Sequence, residues 1–282
     1  MKKIISFGEI VWDVFNDGRV LGGAPLNFAY YCSKLGAEAR IVGAVGRDAE
    51  GMGALETILL QGMSTELVSA NTKPTGEVRV LLDDSDKPQF EITRNRAWDF
   101  IEYEERAGAY AANADVFYFG TLAQRSDTSR NTLARLLDKC PSDCLKVLDV
   151  NLRLKHYSKE VLDFSLTRAD VVKMNESELS KICDIFRYSG DTLVRAKFLF
   201  EAFNLKYLVL TRGGDGYTVF ERGGMFMGKA QRVKIVDTVG AGDSFLAGFV
   251  VSLLNGSNSE SAAENGAKLA TEVCGRRGAF CL

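Results

Sequence analysis

Histidine is almost missing from this chain: His156 is the only one in 282 residues. That scarcity excludes a metal centre built from several imidazoles and leaves any Ser-His-Asp nucleophile resting on one residue. His156 sits in the polar stretch Lys155-His156-Tyr157-Ser158, which reads as the start of a helix. Long apolar runs are also absent. None approaches the ~18 residues that a membrane span requires. Neither sign of charge dominates, with 35 basic and 37 acidic residues interspersed for a net charge of −2. The chain therefore has no electrostatic footprint for nucleic acid or an anionic membrane. Met1 to Phe7 begins like a secretory leader, but Glu9 and Asp13 interrupt the apolar run too early, so it reads as a first strand and the protein is expected in the cytoplasm. Six cysteines without a leader do not make a disulfide framework. Cys140 and Cys144 lack the further ligands that a metal pair would need.

What is present is a pattern of alternation. Short β-branched or aromatic runs at 40–45, 116–119, 146–150, 170–174 and 207–210 alternate with helical patterns at 55–61, 129–137, 192–203, 245–254 and 261–273. This order predicts βαβ units and a mostly parallel sheet covered by helices on both faces. A different texture spans 75–92, where strand-like 77–82 and 89–93 flank the turn-rich 83–88, a predicted hairpin. With the strand-like 11–20 it forms a candidate small sheet.

Asp237-Thr238-Val239-Gly240-Ala241-Gly242-Asp243 follows a β-like run, 232–236, and opens an apolar helix. Gly240, Ala241 and Gly242 lack bulk, so their amides can close on a phosphate at a helix N-terminus, where N–H groups lack partners and the dipole favours negative charge. Asp243 in the first turn either favours the helix start electrostatically or serves as a general base for a hydroxyl attacking that phosphate. Near the N-terminus, Gly22-Gly23-Ala24-Pro25-Leu26-Asn27 puts a glycine pair before a helix that ends near Leu35, with Gly36 as its stop. Two other motifs are misleading. Gly223 to Lys229 matches G-x-x-x-x-G-K, but Ala230 stands where a P-loop needs a hydroxyl, and predicted strands at 217–220 and 231–236 make it a hairpin turn. No G-x-G-x-x-G follows the first strand.

Together the glycine-pair and D-T-x-G-A-G-D segments resemble the paired signatures of the ribokinase-like (PfkB) carbohydrate kinases, from Gly8 to Gly278-Ala279. The resemblance implies the ribokinase-like α/β fold as a single domain over 1–282, with a β lid formed by about 11–20 and 75–99 that covers the sugar and contacts a second subunit. It makes Asp243 the base and Gly240, Ala241 and Gly242 the anion hole. Asp13, Gly23 and Asn27 become sugar ligands, although Asp13 could be a strand-edge residue and Asn27 a helix cap. Asn95, in Asn95 to Asp99 beyond the hairpin, lies where fructokinase-like members close over substrate; Trp98 reads equally well as lid core. Asn175-Glu176-Ser177-Glu178 has the form of a helix cap, whereas the family's N-x-x-E serves Mg2+ and phosphate, which assigns Glu178 to the metal and Asn175 to the nucleotide. Thr211, Gly213 and Gly216 match the family's T-x-G-x-x-G along ATP, and otherwise form a glycine turn. Arg153, in Asp149-Val150-Asn151-Leu152-Arg153, becomes a phosphate or substrate clamp rather than a solvated loop residue.

The expected activity is transfer of the γ-phosphoryl group of ATP, with Mg2+, to a sugar hydroxyl. Gly-Gly-Ala-Pro-x-Asn is the fructokinase-like form, which favours fructose. Asp149 to Arg153 followed by Lys155 also resembles 2-keto-3-deoxygluconate kinases, and a non-catalytic sugar- or nucleotide-binding regulator on the same fold is the third reading. Relatives that bind K+ use a C-terminal loop, and this chain stops three residues after Ala279, which argues against K+ activation.

Overall fold

A computed structural model describes residues 1–15, 18–82, 88–231, 233–276, 278 and 280, with backbone alone at 80–82 and 88–90. The chain opens with β1 (Lys3–Phe7), β2 (Val11–Phe15), β3 (Gly18–Gly22), α1 (Ala24–Lys34), β4 (Glu38–Gly46), α2 (Ala49–Leu60) and β5 (Val68–Asn71). After β6 (Gly76–Leu82), β7 (Pro88–Ile92) and α3 (Glu105–Ala111) come β8 (Val116–Gly120), α4 (Asp127–Lys139), β9 (Leu145–Asp149), α5 (Lys159–Arg168) and β10 (Val171–Asn175). The last part holds α6 (Glu176–Phe186), α7 (Thr192–Ala202), β11 (Tyr207–Thr211), β12 (Tyr217–Glu221), β13 (Gly224–Gly228), α8 (Ala241–Leu254) and α9 (Ser259–Cys274).

Nine strands form one sheet in the order β13-β12-β11-β10-β9-β8-β1-β4-β5, parallel except where β12 and β13 run antiparallel. Residues along each strand alternate between two cores. Ile5, Phe7, Phe117 and Phe119 face α4, α5, α6 and α7, whereas Ile4, Val116 and Tyr118 face α1, α2, α8 and α9. This two-sided burial explains why the strands read as near-continuous apolar runs. A second, four-stranded sheet in the order β3-β2-β6-β7 stands apart. Its 11–20 segment is two strands rather than one, and Asn16 and Asp17 between them lie outside the described residues, as does the predicted turn 83–87. Trp98, in the 3-10 turn Ala97–Phe100, is fully buried beneath the small sheet, where a Cβ on Gly76 would come within 2.6 Å of its ring.

The structure corrects the sequence reading around the phosphate turn. The 231–236 run is not a strand over its described residues, Gln231 and 233–236; Arg232 lies outside them. Val233, Ile235 and Val236 are exposed, because β13 is the sheet edge and no neighbouring strand pairs with them. The G-x-x-x-x-G-K match is consequently not a turn but mostly the strand β13. No helix among the described residues is long and apolar enough to cross a membrane.

Candidate functional site

Parallel strands end at one edge of the sheet, and ligands of open α/β sheets bind outside those ends. Here the edge carries Asp149 at the end of β9, Asn175 at the end of β10 and Thr211 at the end of β11, with Asn175 and Thr211 paired in register. The phosphate turn meets this edge from the opposite layer. Gly240, the N-cap of α8, is left-handed at φ 79°, and no side chain caps the turn; Ala241 N donates to the Thr238 carbonyl at 3.2 Å, and the next amides of the first turn stay open for an anion. The hydrophobic body of α8 holds the turn in place. Leu246, Phe249 and Val250 are fully buried and Phe245 nearly so, at about 1.5–3 kcal/mol for each side chain. That burial outweighs the cost of enclosing Asp243 in the first turn.

The glycine-pair motif arrives from α1. Gly23 caps that helix at φ 117°, and a Cβ there would lie 2.3 Å from the Glu9 carbonyl oxygen, so only glycine fits. One turn further, Asn27 is buried and its Nδ2 donates to Asp243 Oδ2 at 2.8 Å, across 216 positions of chain. Its Oδ1 is buried without a partner, an acceptor left open at the junction of the two motifs.

Around Asp243 the electrostatics are dominated by buried carboxylates. Burial and Asp149 raise Asp243 to about 6, against the opposing pull of Lys173, the Asn27 hydrogen bond and Arg153. Glu9, fully enclosed, rises to about 7, chiefly through burial. Asp13 on β2 rises to about 6 for the same reason, with Asp237 and Asp243 adding to it and Arg153 opposing. Lys173 was not singled out from sequence. It lies beside Asp149 in the β9–β10 register, and its Nζ donates to both Asp149 oxygens at 3.0 Å. Burial alone would depress the Lys173 ammonium, but Asp149, Glu178 and Asp243 outweigh it and hold it above its ordinary value. Its signal in the sequence was a lysine inside the apolar strand Val171-Val172-Lys173-Met174.

Other predicted residues are placed less tightly. Glu178 is buried and forms a two-way cap, its Oε2 accepting from Asn175 N at 2.8 Å while Asn175 Oδ1 accepts from Glu178 N at 2.9 Å. Its Oε1 accepts from Leu152 N at 3.0 Å, so both oxygens already serve backbone amides. Burial lifts the Glu178 carboxyl above its ordinary value, with Lys173 opposing. No group of three metal-ligating side chains occurs among the described residues. This donor set suits an Mg2+ held through water and nucleotide phosphates rather than a protein cage. Gly213, at φ 54°, opens a 3-10 turn after Thr211, and Gly216, at φ 100°, packs against the Gly228 carbonyl oxygen. Arg153 is exposed, and its charge acts on Glu9, Asp13 and Asp243. Asn95 is exposed at φ 58°, and no described contact links it to Asp243. Asp237 ties the C-terminal segment to the turn, its Oδ2 accepting from Gly278 N at 2.9 Å and Oδ1 from Val239 N at 3.0 Å.

Comparison with known proteins identifies the family and the fold that carry these residues. The fructokinase of Salmonella typhimurium is 28% identical over 286 residues, covering 97% of this chain and 92% of that protein. An ATP-dependent 6-phosphofructokinase from Thermoanaerobacterium thermosaccharolyticum is 26% identical over 270 residues, covering 90% and 82%. Among solved structures, fructokinase with bound ATP from Xylella fastidiosa superposes with a TM-score of 0.85 at 20% identity, covering 99% of this chain and 94% of that one. These relatives carry different names for their acceptors, but one family model, the pfkB family carbohydrate kinase, matches residues 2–280, and the chain belongs to that family.

Proposed function

We propose that this carbohydrate kinase transfers the γ-phosphoryl group of ATP to a hydroxyl of a neutral sugar, with fructose the leading acceptor. The hydrogen bond from Asn27 to Asp243, 2.8 Å long and buried, carries the reading. It brings the residue assigned to the sugar against the residue assigned to its hydroxyl proton, beside the open amides of the phosphate turn. Asp13, Gly23 and Asn27 orient the sugar under the lid formed by β2, β3, β6 and β7. Asn95, and Arg153 at the mouth, close on it. Asp243 accepts the hydroxyl proton, and the Gly240, Ala241 and Gly242 amides receive the charge of the transferring phosphoryl group. Asn175, Thr211, Gly213 and Gly216 line the nucleotide, and Glu178 holds Mg2+ through water. When bound, the metal supplies charge neutralisation at the nucleotide oxygens. The edge strands β3 and β7 are where a second subunit would add to the lid. K+ is given no step in this mechanism.

A neutral acceptor is favoured over 2-keto-3-deoxygluconate because the sugar end holds three carboxyls, Glu9, Asp13 and Asp243. An added carboxylate would need a cation, ideally a bidentate arginine. Arg94 and Arg153 are exposed, and Arg96 leans on Glu77 at 4.0 Å. A coupled assay of ADP release over fructose, ribose, a nucleoside and 2-keto-3-deoxygluconate tests the proposal. Higher kcat/KM for the sugar acid, lost on Arg→Ala at 94, 96 or 153, would overturn the neutral-sugar reading while leaving the kinase intact. No turnover with any sugar would favour a binding regulator, which the intact Asp243 and glycine turn argue against.

A further inference from the structure

The ion pair beneath the phosphate turn carries an inference that rests on Asp243 being the base. A cation at a helix N-terminus opposes the helix dipole, yet a Cβ built on Gly242, in the first turn of α8, would lie 2.7 Å from Lys173 Nζ and 3.2 Å from its Cε. The ammonium therefore sits directly against the backbone of the turn. It is buried, and Asp149 grips it with both oxygens at 3.0 Å, so it cannot swing away. A plain structural pair would have no reason to occupy the one place where a phosphate is to be bound. Gly242 leaves the space this lysine fills.

We propose that Lys173, clamped by Asp149, is a positioning residue for phosphoryl transfer, a fixed cation that keeps Asp243 ionised as base and strengthens the anion hole from beneath. The surroundings of Asp243 make such a cation necessary. Asp149 acts on it from β9, while Lys173 on β10, Asn27 from α1 and Arg153 from the loop after β9 oppose that push. Asp243 in turn raises Glu9, in the loop after β1, and Asp13 on β2, and the Tyr118 phenol on β8 is pushed up by burial and by these carboxylates, so it stays neutral where Asp243 titrates. Glu178 on α6 acts on Lys173 as well. Arg153 is exposed and screened by water, which leaves Lys173 as the buried cation among these groups.

The test follows the Asp243 carboxyl directly, by carbon-13 NMR of aspartate-labelled protein, with its signal assigned by loss in Asp243→Asn. In Lys173→Met the Asp243 midpoint should rise by about one pH unit or more, since a nearby opposite charge moves a carboxyl by ~1–3 units. The acidic limb of kcat/KM, measured with the sugar that the panel identifies, should move with it. Because Lys173→Met strands a buried carboxylate and could unfold the protein, the double variant Lys173→Met/Asp149→Asn is measured as well. It should fold and still turn over ~100-fold more slowly than wild type, the lower end of what removing one charge-stabilising group costs at such a site. An unmoved Asp243 midpoint in Lys173→Met, or wild-type turnover in the double variant, would show that the pair is structural. Asp243→Asn separates the two readings. If that variant keeps turnover, Asp243 is not the base, and the NMR midpoint still decides whether Lys173 governs its charge.

Discussion

Replacing Asp243 by asparagine should nearly abolish turnover and at the same time make the protein more stable above neutral pH. The amide keeps the shape of the carboxylate and can still accept from Asn27 Nδ2, but it cannot take a proton. Loss of a general base costs ~10²–10⁴-fold in rate. The stability effect follows from the same burial. Asp243 is held at about 6 against an ordinary 3.8, chiefly by burial. A carboxyl raised in the folded state binds its proton more tightly there than in the unfolded chain, so its contribution is favourable below about pH 4. It is lost as the pH rises through about 6, where the unfolded state gains more by ionising. The difference corresponds to roughly 3 kcal/mol at pH 8. Asp243→Asn removes that penalty but also one counter-charge of Lys173, so a gain of about 1–3 kcal/mol is expected at pH 8, shrinking towards zero near pH 4. Denaturant unfolding of both proteins at the two pH values, beside steady-state kinetics, provides the measurement. An Asp243→Asn protein no more stable than wild type at pH 8, or one within a few-fold of wild-type turnover, would refute the reasoning.

Glu178→Gln should raise the Mg2+ concentration for half-maximal activity, because a hard anionic oxygen at the proposed metal becomes neutral; an unchanged Mg2+ titration would leave Asn175 to Glu178 as a helix cap alone. Arg125→Met should destabilise the protein by about 3–5 kcal/mol, since it strands Asp99 in a pair whose side chains are both 5% exposed. Arg125 also donates to the Thr93 carbonyl at 2.6 Å and stacks 4.0 Å from the Trp98 ring, so it fastens the chain leaving the small sheet. Its loss should raise KM for sugar more than KM for ATP, and equal effects on both would argue against the lid assignment.

Local signals in the chain proved most legible. Gly36 ends α1 in left-handed backbone, as glycine after a helix should, and Asn175 and Glu178 cap α6 through contacts three residues apart. Such features depend only on near neighbours. The run 231–236 failed for the complementary reason. Its β-branched residues have strand propensity, but a strand also needs a partner, and the sheet already ends at β13. Helix length was read too short where a glycine-bearing first turn hid the start: α2 begins at Ala49, capped by Asp48.

The α/β alternation, the two motif segments and the family are legible in the chain, because periodicity and short motifs are written in consecutive residues. How those motifs meet one another depends on the folded chain. Asn27 meets Asp243 across 216 positions, and Lys173 meets Asp149 across 24 through the pairing of β9 with β10. Neither contact has a local pattern, since each depends on strand register and on how α1 and α8 pack against the same face of the sheet. Burial is likewise a property of the assembled core, and burial rather than residue type raises Glu9, Asp13 and Asp243 towards neutrality.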